Sequence, residues 1–198
     1  MGLDFKNNKA QSPIDKEEKE GLKIRTISTR KELDEFEQAN IEKAVEWTLK
    51  RRIPMERILS LDFIREVHRQ MFSDLWEWAG VFRKTNKNIG VDKYLIEQHI
   101  KVLIDDCGYW INNETYGSDE IAIRFKHRLV SIYPFPNGNG RHSRLFADIL
   151  ISHGFGEPVF TWGGKGLTGQ NMTRSKYLEA IHLADQGDIK PLVTFARS

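Results

Sequence analysis

The segment 133–144 is the feature that most restricts how this chain of 198 residues can fold; it reads Tyr-Pro-Phe-Pro-Asn-Gly-Asn-Gly-Arg-His-Ser-Arg. Its two prolines cannot continue a helix, so a preceding helix must end near Ile132. Gly138 and Gly140 can adopt positive φ and let the backbone approach a ligand closely. A helical pattern resumes after them, so the new helix presents unpaired N–H groups beside the glycines. The segment therefore predicts an anion site, with phosphate as the natural ligand.

Arg141 and Arg144 stand three residues apart in the first turn of that helix. Two guanidiniums there repel each other and oppose the helix dipole unless an anion compensates them. A solvated pair of arginines is the alternative, and the flanking glycines and prolines make it the less favoured one. A glycine pair that opens a helix with two stacked arginines is a fairly specific signal for a phosphate.

The same segment resembles the signature of Fic-domain proteins, His-x-Phe-x-(Asp/Glu)-Gly-Asn-Gly-Arg-x-x-Arg. Six of its eight defining positions agree: Phe135, Gly138, Asn139, Gly140, Arg141 and Arg144. Residues 75–83 are similar to the Trp-Ala-Gly segment that precedes the active-site flap in this family, and residues 174–188 are similar to its C-terminal helices. The small bacterial subgroup called mobile mystery protein B shares the Pro-Asn-Gly-Asn-Gly-Arg variant.

The resemblance implies a mostly α fold, a Fic-type helical bundle with a short β-hairpin flap. Residues 83–95 are rich in Lys, Asn and Gly, which suits a hairpin or loop, and we expect this flap to hold a target segment by strand addition. Residues 1–30 are predicted to form a polar leader, and residues 31–198 a Fic-like catalytic domain.

The activity implied by the resemblance is transfer of AMP from ATP to a Ser, Thr or Tyr hydroxyl of a target protein. By position in the signature, Arg141 and Arg144 would bind the β and γ phosphates. Gly138, Asn139 and Gly140 would form the anion cradle, and Tyr177 would be a wall of the adenine pocket.

Tyr133 occupies the position of the family's catalytic histidine and is the main departure from the signature. A general base near neutral pH needs a pKa near 7, whereas an unperturbed tyrosine has a pKa of ~10. Loss of such a base costs about 10²- to 10⁴-fold in rate, so we expect AMP transfer to be impaired. Three interpretations stay open: a natural degenerate copy, a tyrosine ionised by the adjacent arginines, or an inactivating substitution in a parent protein that has histidine.

Asn137 stands at the family's acidic metal position. Its carboxamide oxygen can bind Mg²⁺ but lacks the charge of a carboxylate, so we expect metal binding to depend mostly on the nucleotide.

Glu37 resembles the glutamate of the family's inhibitory helix, although Leu33 stands where Ser or Thr is expected. An ion pair of Glu37 with Arg144 would keep ATP from seating productively. An exposed glutamate on a charged helix is the alternative.

Composition is that of a single domain with its own core, and the net charge of +2 argues against a surface built for nucleic acid. Cys107 is the only cysteine, so no internal disulfide forms and a reducing cytoplasm fits best. No apolar run approaches the ~18 residues of a membrane span.

Helical periodicity predicts one helix from Lys31 to before Pro54 and another over 61–72 with Ser60 as N-cap. Further helical patterns start near Ile96 and at Ser118, which is predicted to cap its helix. A helix closed by Gly154, a glycine-rich loop over 161–170, and helices near 173–184 and 189–196 complete the chain.

Two function classes remain open on the sequence alone. The first is an adenylyltransferase, with an antitoxin or other regulator and an oligomeric state left open, and transfer of another phosphate-containing group as a less favoured variant. The second is a catalytically inactive module that binds a nucleotide or phosphate and acts through a protein partner.

Overall fold

A computed structural model describes residues 21–24, 26–27, 29–164 and 171–198, without the side chains of Arg30 and of residues 171–174. Most of the predicted polar leader, residues 1–20, lies outside the described residues. The same holds for residues 165–170, which are most of the predicted glycine-rich loop.

The described residues contain eight α-helices, which confirms the predicted mostly α fold. They are α1 (Arg30–Leu49), α2 (Met55–Ile58), α3 (Leu61–Phe72), α4 (Ile96–Asn112), α5 (Ser118–Ile132), α6 (Asn139–Ile149), α7 (Asn171–Asp185) and α8 (Lys190–Arg197). A 3₁₀ turn, Lys93–Leu95, leads into α4, and a π-helical turn, Leu150–Gly154, extends α6 to the predicted closing glycine. None of the described helices is long and apolar enough to cross a membrane.

Helix α5 is the centre of the bundle, since α4, α6 and α8 all pack against it. Helix α1 packs on α3, and α7 packs on α8. The ring of Phe125 on α5 stacks on Phe146 of α6 at 5.0 Å between centroids, and Phe63 of α3 meets Phe146 edge-on at 6.0 Å. Buried aromatic rings contribute large apolar areas, so these contacts fix α6 relative to α3 and α5.

The N-terminal ends of α1, α3 and α5 depend on capping residues in the local sequence. The predicted N-cap Ser60 accepts a hydrogen bond from the Phe63 N–H at 3.2 Å, and α3 has the predicted bounds. Thr29 and Glu32 form a capping box at the start of α1. The predicted cap of α5 is wrong by one residue: Gly117 is the N-cap and Ser118 begins the helix without a side-chain cap bond.

Residues 21–24 lie against the segment that contains Trp76. Leu22 and Trp76 form an antiparallel bridge, the Lys23 N–H donates to the Leu75 carbonyl at 2.9 Å, and the Glu77 N–H donates to the Gly21 carbonyl at 2.8 Å. The backbone of Trp76 is therefore held from the N-terminal side.

Residues 83–92 form an irregular loop, and no β-strand is present among the residues that the structure describes, so the predicted flap lacks hairpin strands. The buried Arg83 side chain explains this. It donates to the carbonyls of Thr85, Val91 and Tyr133, which uses carbonyls that strand pairing would need. The Val91 N–H donates to the Ile132 carbonyl at 3.3 Å, so the loop is attached to the end of α5.

Asp148, on α6, organises the segment that follows the π-helical turn. Its carboxylate accepts from the Phe160 N–H at 3.2 Å and from the Trp162 indole N–H at 3.1 Å. Burial raises the pKa of Asp148 to about 6, although these bonds and the nearby Arg144 and Arg197 act in the opposite direction.

Because its folded-state pKa lies above the ordinary value near 3.8, Asp148 binds its proton more tightly in the folded protein than in the unfolded one. Its contribution to stability is therefore complete below about pH 4 and is lost as the pH rises through about 6. Asn at this position keeps an acceptor and removes the titration. Denaturant unfolding measures the free energy of unfolding of the unsubstituted chain and of Asp148→Asn at each pH. The difference between these two free energies should change by about 1–3 kcal/mol between pH 4 and pH 7. A difference that stays constant with pH would contradict this assignment.

Candidate active site

The turn between α5 and α6 carries the signature residues. Helix α5 ends at Ile132, as the prolines predict, and Tyr133 follows in the left-handed region with φ 54° and ψ 58°. Gly138 is the N-cap of α6 with φ 76°, so the chain reverses between two left-handed residues. A tyrosine in this region is strained and is retained only where its surroundings fix it.

The two glycines of the turn have different roles. A Cβ added to Gly138 would lie 2.5 Å from Cζ of Phe72, so this glycine is required both by its positive φ and by close packing. A Cβ added to Gly140 would meet nothing within 4 Å. Gly140 therefore lies next to open space at the start of α6, where a ligand can approach the backbone.

The buried side chain of Asn139 fixes the turn from inside. Its Oδ1 accepts from the Phe135 N–H at 2.9 Å, and its Nδ2 donates to the Phe135 carbonyl at 2.8 Å. The contribution of Asn139 to an anion site is thus restricted to its backbone.

His68, which the sequence analysis missed, joins the turn to the Trp-Ala-Gly segment. Its Nδ1 accepts from the Gly80 N–H at 2.9 Å, which leaves the proton on Nε2 to be donated to the Asn137 carbonyl at 3.1 Å. The ring stacks on Phe135 at 3.7 Å. Burial, followed by the neighbouring His142, lowers the pKa of His68, so the ring stays neutral in this position.

Glu37, on α1, forms the ion pair of the site, and its partner is Arg141. The Arg141 guanidinium donates to Glu37 at 2.5 Å, and the indole N–H of Trp76 donates to the other carboxylate oxygen at 2.9 Å. The predicted pairing with Arg144 is therefore wrong, and so is the alternative of an exposed glutamate, because the Glu37 side chain is 2% exposed. Arg141 lies in the first turn of α6 and faces this carboxylate, whereas Arg144 lies in the next turn and does not.

Arg144 has a different environment, on the side of α6 that faces α7. Its guanidinium lies 5.4 Å from the ring centroid of Tyr177, and its Nε is buried without a partner among the described residues. The hydroxyl of Tyr177 accepts a hydrogen bond from Lys126 at 2.7 Å. Lys126 was not among the predicted site residues. Its helical spacing from the buried Ala122 and Leu129 on α5 nevertheless indicates that it faces inward.

Tyr133 is contacted by residues of the loop 83–92, which the Arg83 side chain stabilises. Arg83 Nε donates to the Tyr133 carbonyl at 2.7 Å, and the Arg83 N–H donates to the Pro134 carbonyl at 2.9 Å. A Cβ added to Gly90 would lie 2.6 Å from the Cβ of Tyr133. These contacts hold Tyr133 in its left-handed conformation and place the loop directly over it.

The donor atoms near the turn do not make a resident magnesium site. The side-chain oxygen of Asn137 accepts from the Gly138 N–H at 2.6 Å. Within the described parts of the chain, no three His, Cys, Asp or Glu side chains come together as a metal-binding group.

Comparison with known proteins assigns the family. The model of the Fic/DOC family matches residues 58–151, which include α3, α4, α5, α6 and the signature turn. Residues 58–151 form a Fic/DOC family domain. The resemblance of the sequence to Fic-domain proteins is thereby confirmed, whereas its likeness to the mobile mystery protein B subgroup stays a prediction.

Relatives of this Fic domain include the "Protein adenylyltransferase Fic" of Drosophila virilis, which is 31% identical over 142 residues. That match covers 69% of this chain and 27% of the relative, so the chain spans about a quarter of the relative's length.

Two solved structures share the fold. Fic-1 of Caenorhabditis elegans (residues 134–508) has a TM-score of 0.62 and 26% identity, over 80% of this chain and 46% of that chain. An ADP-bound N-terminal Fic domain of a VirB-translocated Bep effector from Bartonella quintana has a TM-score of 0.64 and 19% identity, over 87% of this chain and 86% of that chain.

Replacement of Gly138 tests the geometry of the turn. Gly138→Ala should lower the free energy of unfolding by about 2–4 kcal/mol, because the new Cβ is strained at positive φ and overlaps the Phe72 ring. Urea denaturation measures the change. Gly140→Ala is the matched control and should be neutral or slightly stabilising, since Gly140 is helical and unobstructed. Equal stabilities for the two variants would contradict this structure of the turn.

Proposed function

We propose that this chain is a Fic-type protein adenylyltransferase that binds ATP at the start of α6 and transfers AMP to a Ser, Thr or Tyr hydroxyl of a target protein. The observation that carries the proposal is the signature turn itself: Gly140 beside open space, a helix start without a side-chain cap bond, and Arg141 and Arg144 in the first two turns. The relatives that are named protein adenylyltransferases and the ADP bound in the Bartonella quintana structure support it.

In this proposal, the backbone N–H groups of Asn139 and Gly140, with the two arginines, hold the triphosphate, and Gly138 shapes the cradle through its positive φ, because its own N–H donates to Asn137. The target hydroxyl oxygen bonds to the α phosphorus, the bond from that phosphorus to the bridging oxygen of the β phosphate breaks, and pyrophosphate leaves. Mg²⁺ would enter as part of the substrate, with Asn137 as at most a carboxamide ligand, and no step of the proposal depends on it.

The residue at the general-base position is the one that departs most from the Fic signature. Tyr133 occupies the position from which the hydroxyl proton must be accepted, so we propose that transfer by this chain is impaired. We also propose that Glu37 restrains the site. It holds Arg141 in a buried ion pair, and a phosphate must displace the carboxylate before Arg141 can bind it.

The second candidate is a nucleotide-binding module without catalysis that acts through a protein partner. Two observations favour it. A tyrosine occupies the base position, where Arg83 and Gly90 fix its conformation, and the charge of Arg141 is already neutralised by Glu37. For either candidate, we propose residues 31–198 as the functional domain, the loop 83–95 as the contact for the target, and a cytoplasmic, toxin-like role.

Restoration of the histidine separates the two candidates. In a chain that carries Glu37→Gly, so that the carboxylate no longer competes for Arg141, Tyr133→His should raise the transfer of label from α-labelled ATP to proteins of a cell lysate by about 10²- to 10⁴-fold, because a base with a pKa near neutrality is restored. Tyr133→Phe in the same Glu37→Gly chain is the matched control and should stay at the level of that chain with Tyr133. Label in neither variant, with ATP still bound, would overturn the transferase proposal and leave the binding module.

A further inference from the structure

A second cluster of charge lies behind the signature helix, and the proposed chemistry assigns a role to only one of its three members, Arg144. It consists of Lys126 on α5, Arg144 on α6 and Tyr177 on α7. Nζ of Lys126 lies 2.7 Å from the Tyr177 hydroxyl and 4.8 Å from the centroid of its ring. The Arg144 guanidinium lies over the same ring at 5.4 Å and interacts with the same hydroxyl.

The cluster holds one fully buried cation and one half-buried cation around the same phenol. Lys126 is fully buried, and within the described chain neither Lys126 nor Arg144 forms an ion pair with a carboxylate. Asp185 and Asp148 act on them only at longer range. Buried cations without a paired anion are costly, so this arrangement needs a compensating function or ligand.

The positive charges of the cluster change the pKa of the Tyr177 phenol. Burial opposes ionisation of Tyr177, but the positive charges of Lys126 and Arg144 and the hydrogen bonds from both lower its pKa. Burial also lowers the pKa of Lys126. The phenol oxygen is thus a strong acceptor for both cations, and it fixes their side chains relative to each other.

Arg144 is held from one side only. Its Nε is buried without a partner among the described residues, while the phenol supports the guanidinium from the side of α7. Arg141, one turn earlier on α6, is already neutralised by Glu37. Arg144 is therefore the signature arginine that keeps hydrogen-bonding capacity for an anion at the start of α6.

We propose that Lys126 and Tyr177 are positioning residues for Arg144, and that Tyr177 acts on the terminal phosphates of the nucleotide through Arg144 rather than on the adenine. The proposal rests on the nucleotide site of the proposed function. It replaces the adenine-wall role that the resemblance implied for Tyr177. It also gives a role to a buried lysine that is 51 residues away from Tyr177 in the sequence.

The two roles of Tyr177 differ in which nucleotides they affect. A residue that positions Arg144 matters for ATP and not for AMP, which lacks the β and γ phosphates. A residue that stacks on adenine matters equally for both. Tyr177→Phe keeps the ring and removes only the hydroxyl, and Lys126→Met keeps most of the side-chain volume and removes the charge.

Titration calorimetry with ATP and with AMP, in a chain that carries Glu37→Gly, distinguishes these roles. Tyr177→Phe and Lys126→Met should each weaken ATP binding by about 10-fold or more, the range for hydrogen bonds to charged groups, and leave AMP binding within about 2-fold. Tyr109→Phe, on the exposed side of α4, is the control and should change neither affinity.

Unchanged ATP affinity in Tyr177→Phe would overturn the positioning role, and so would an equal loss for ATP and AMP. Melting followed by circular dichroism confirms that each variant is folded, and Tyr177→Phe decides the matter alone if Lys126→Met fails to fold. If the Glu37→Gly chain itself binds neither nucleotide, the proposed function fails, and the positioning role fails with it. Binding of ATP by that chain with no effect of Tyr177→Phe overturns the positioning role alone.

Discussion

The buried ion pair between Glu37 and Arg141 is the contact on which the arrangement of the site depends. A carboxylate that is 2% exposed is tolerated only with charged and hydrogen-bonding partners, and here Arg141 and the indole of Trp76 satisfy one oxygen each. Trp76 is held in turn by the backbone of residues 21–24. The pair therefore joins the N-terminal segment, α1, the Trp-Ala-Gly segment and the first turn of α6 in one network.

This network gives the two signature arginines unequal roles. Arg141 keeps 31% of its side chain exposed, so an incoming phosphate can reach it once Glu37 is displaced. Displacing Glu37 leaves its buried carboxylate without its charged partner, and this cost opposes the binding of a nucleotide at Arg141. Arg144 is buried against Tyr177 and Lys126 and does not contact Glu37. In this account, the first arginine regulates access to the site, and the second provides a fixed positive charge.

The fold and the turn could be predicted from the sequence where the signals were local. The end of α5 at Ile132 follows from two prolines, and the start of α3 follows from Ser60 with the apolar repeat behind it. The open backbone at Gly140 agrees with an anion site at the start of α6. These features depend on φ restrictions and helix caps, which act over a few residues.

The remaining features depend on packing between distant helices, which spacing in the sequence does not specify. The resemblance predicted that Glu37 pairs with Arg144, but the packing of α1 near the start of α6 places it on Arg141 instead. Strands in the loop 83–92 were expected from composition, but the buried Arg83 takes the carbonyls instead. Lys126 was overlooked because a lysine in a helix is usually solvated, and only its apolar neighbours on the same face indicate burial.

Titration calorimetry with ATP on chains substituted at Glu37 shows whether the Glu37–Arg141 ion pair restrains nucleotide binding at the start of α6. Glu37→Gln keeps an acceptor for Trp76 and removes the charge that competes for Arg141, and Glu37→Gly removes both interactions. The account predicts that both variants bind magnesium ATP at least about 10-fold more tightly than the unsubstituted chain. A folded Glu37→Gly chain with no measurable affinity for ATP would contradict the account.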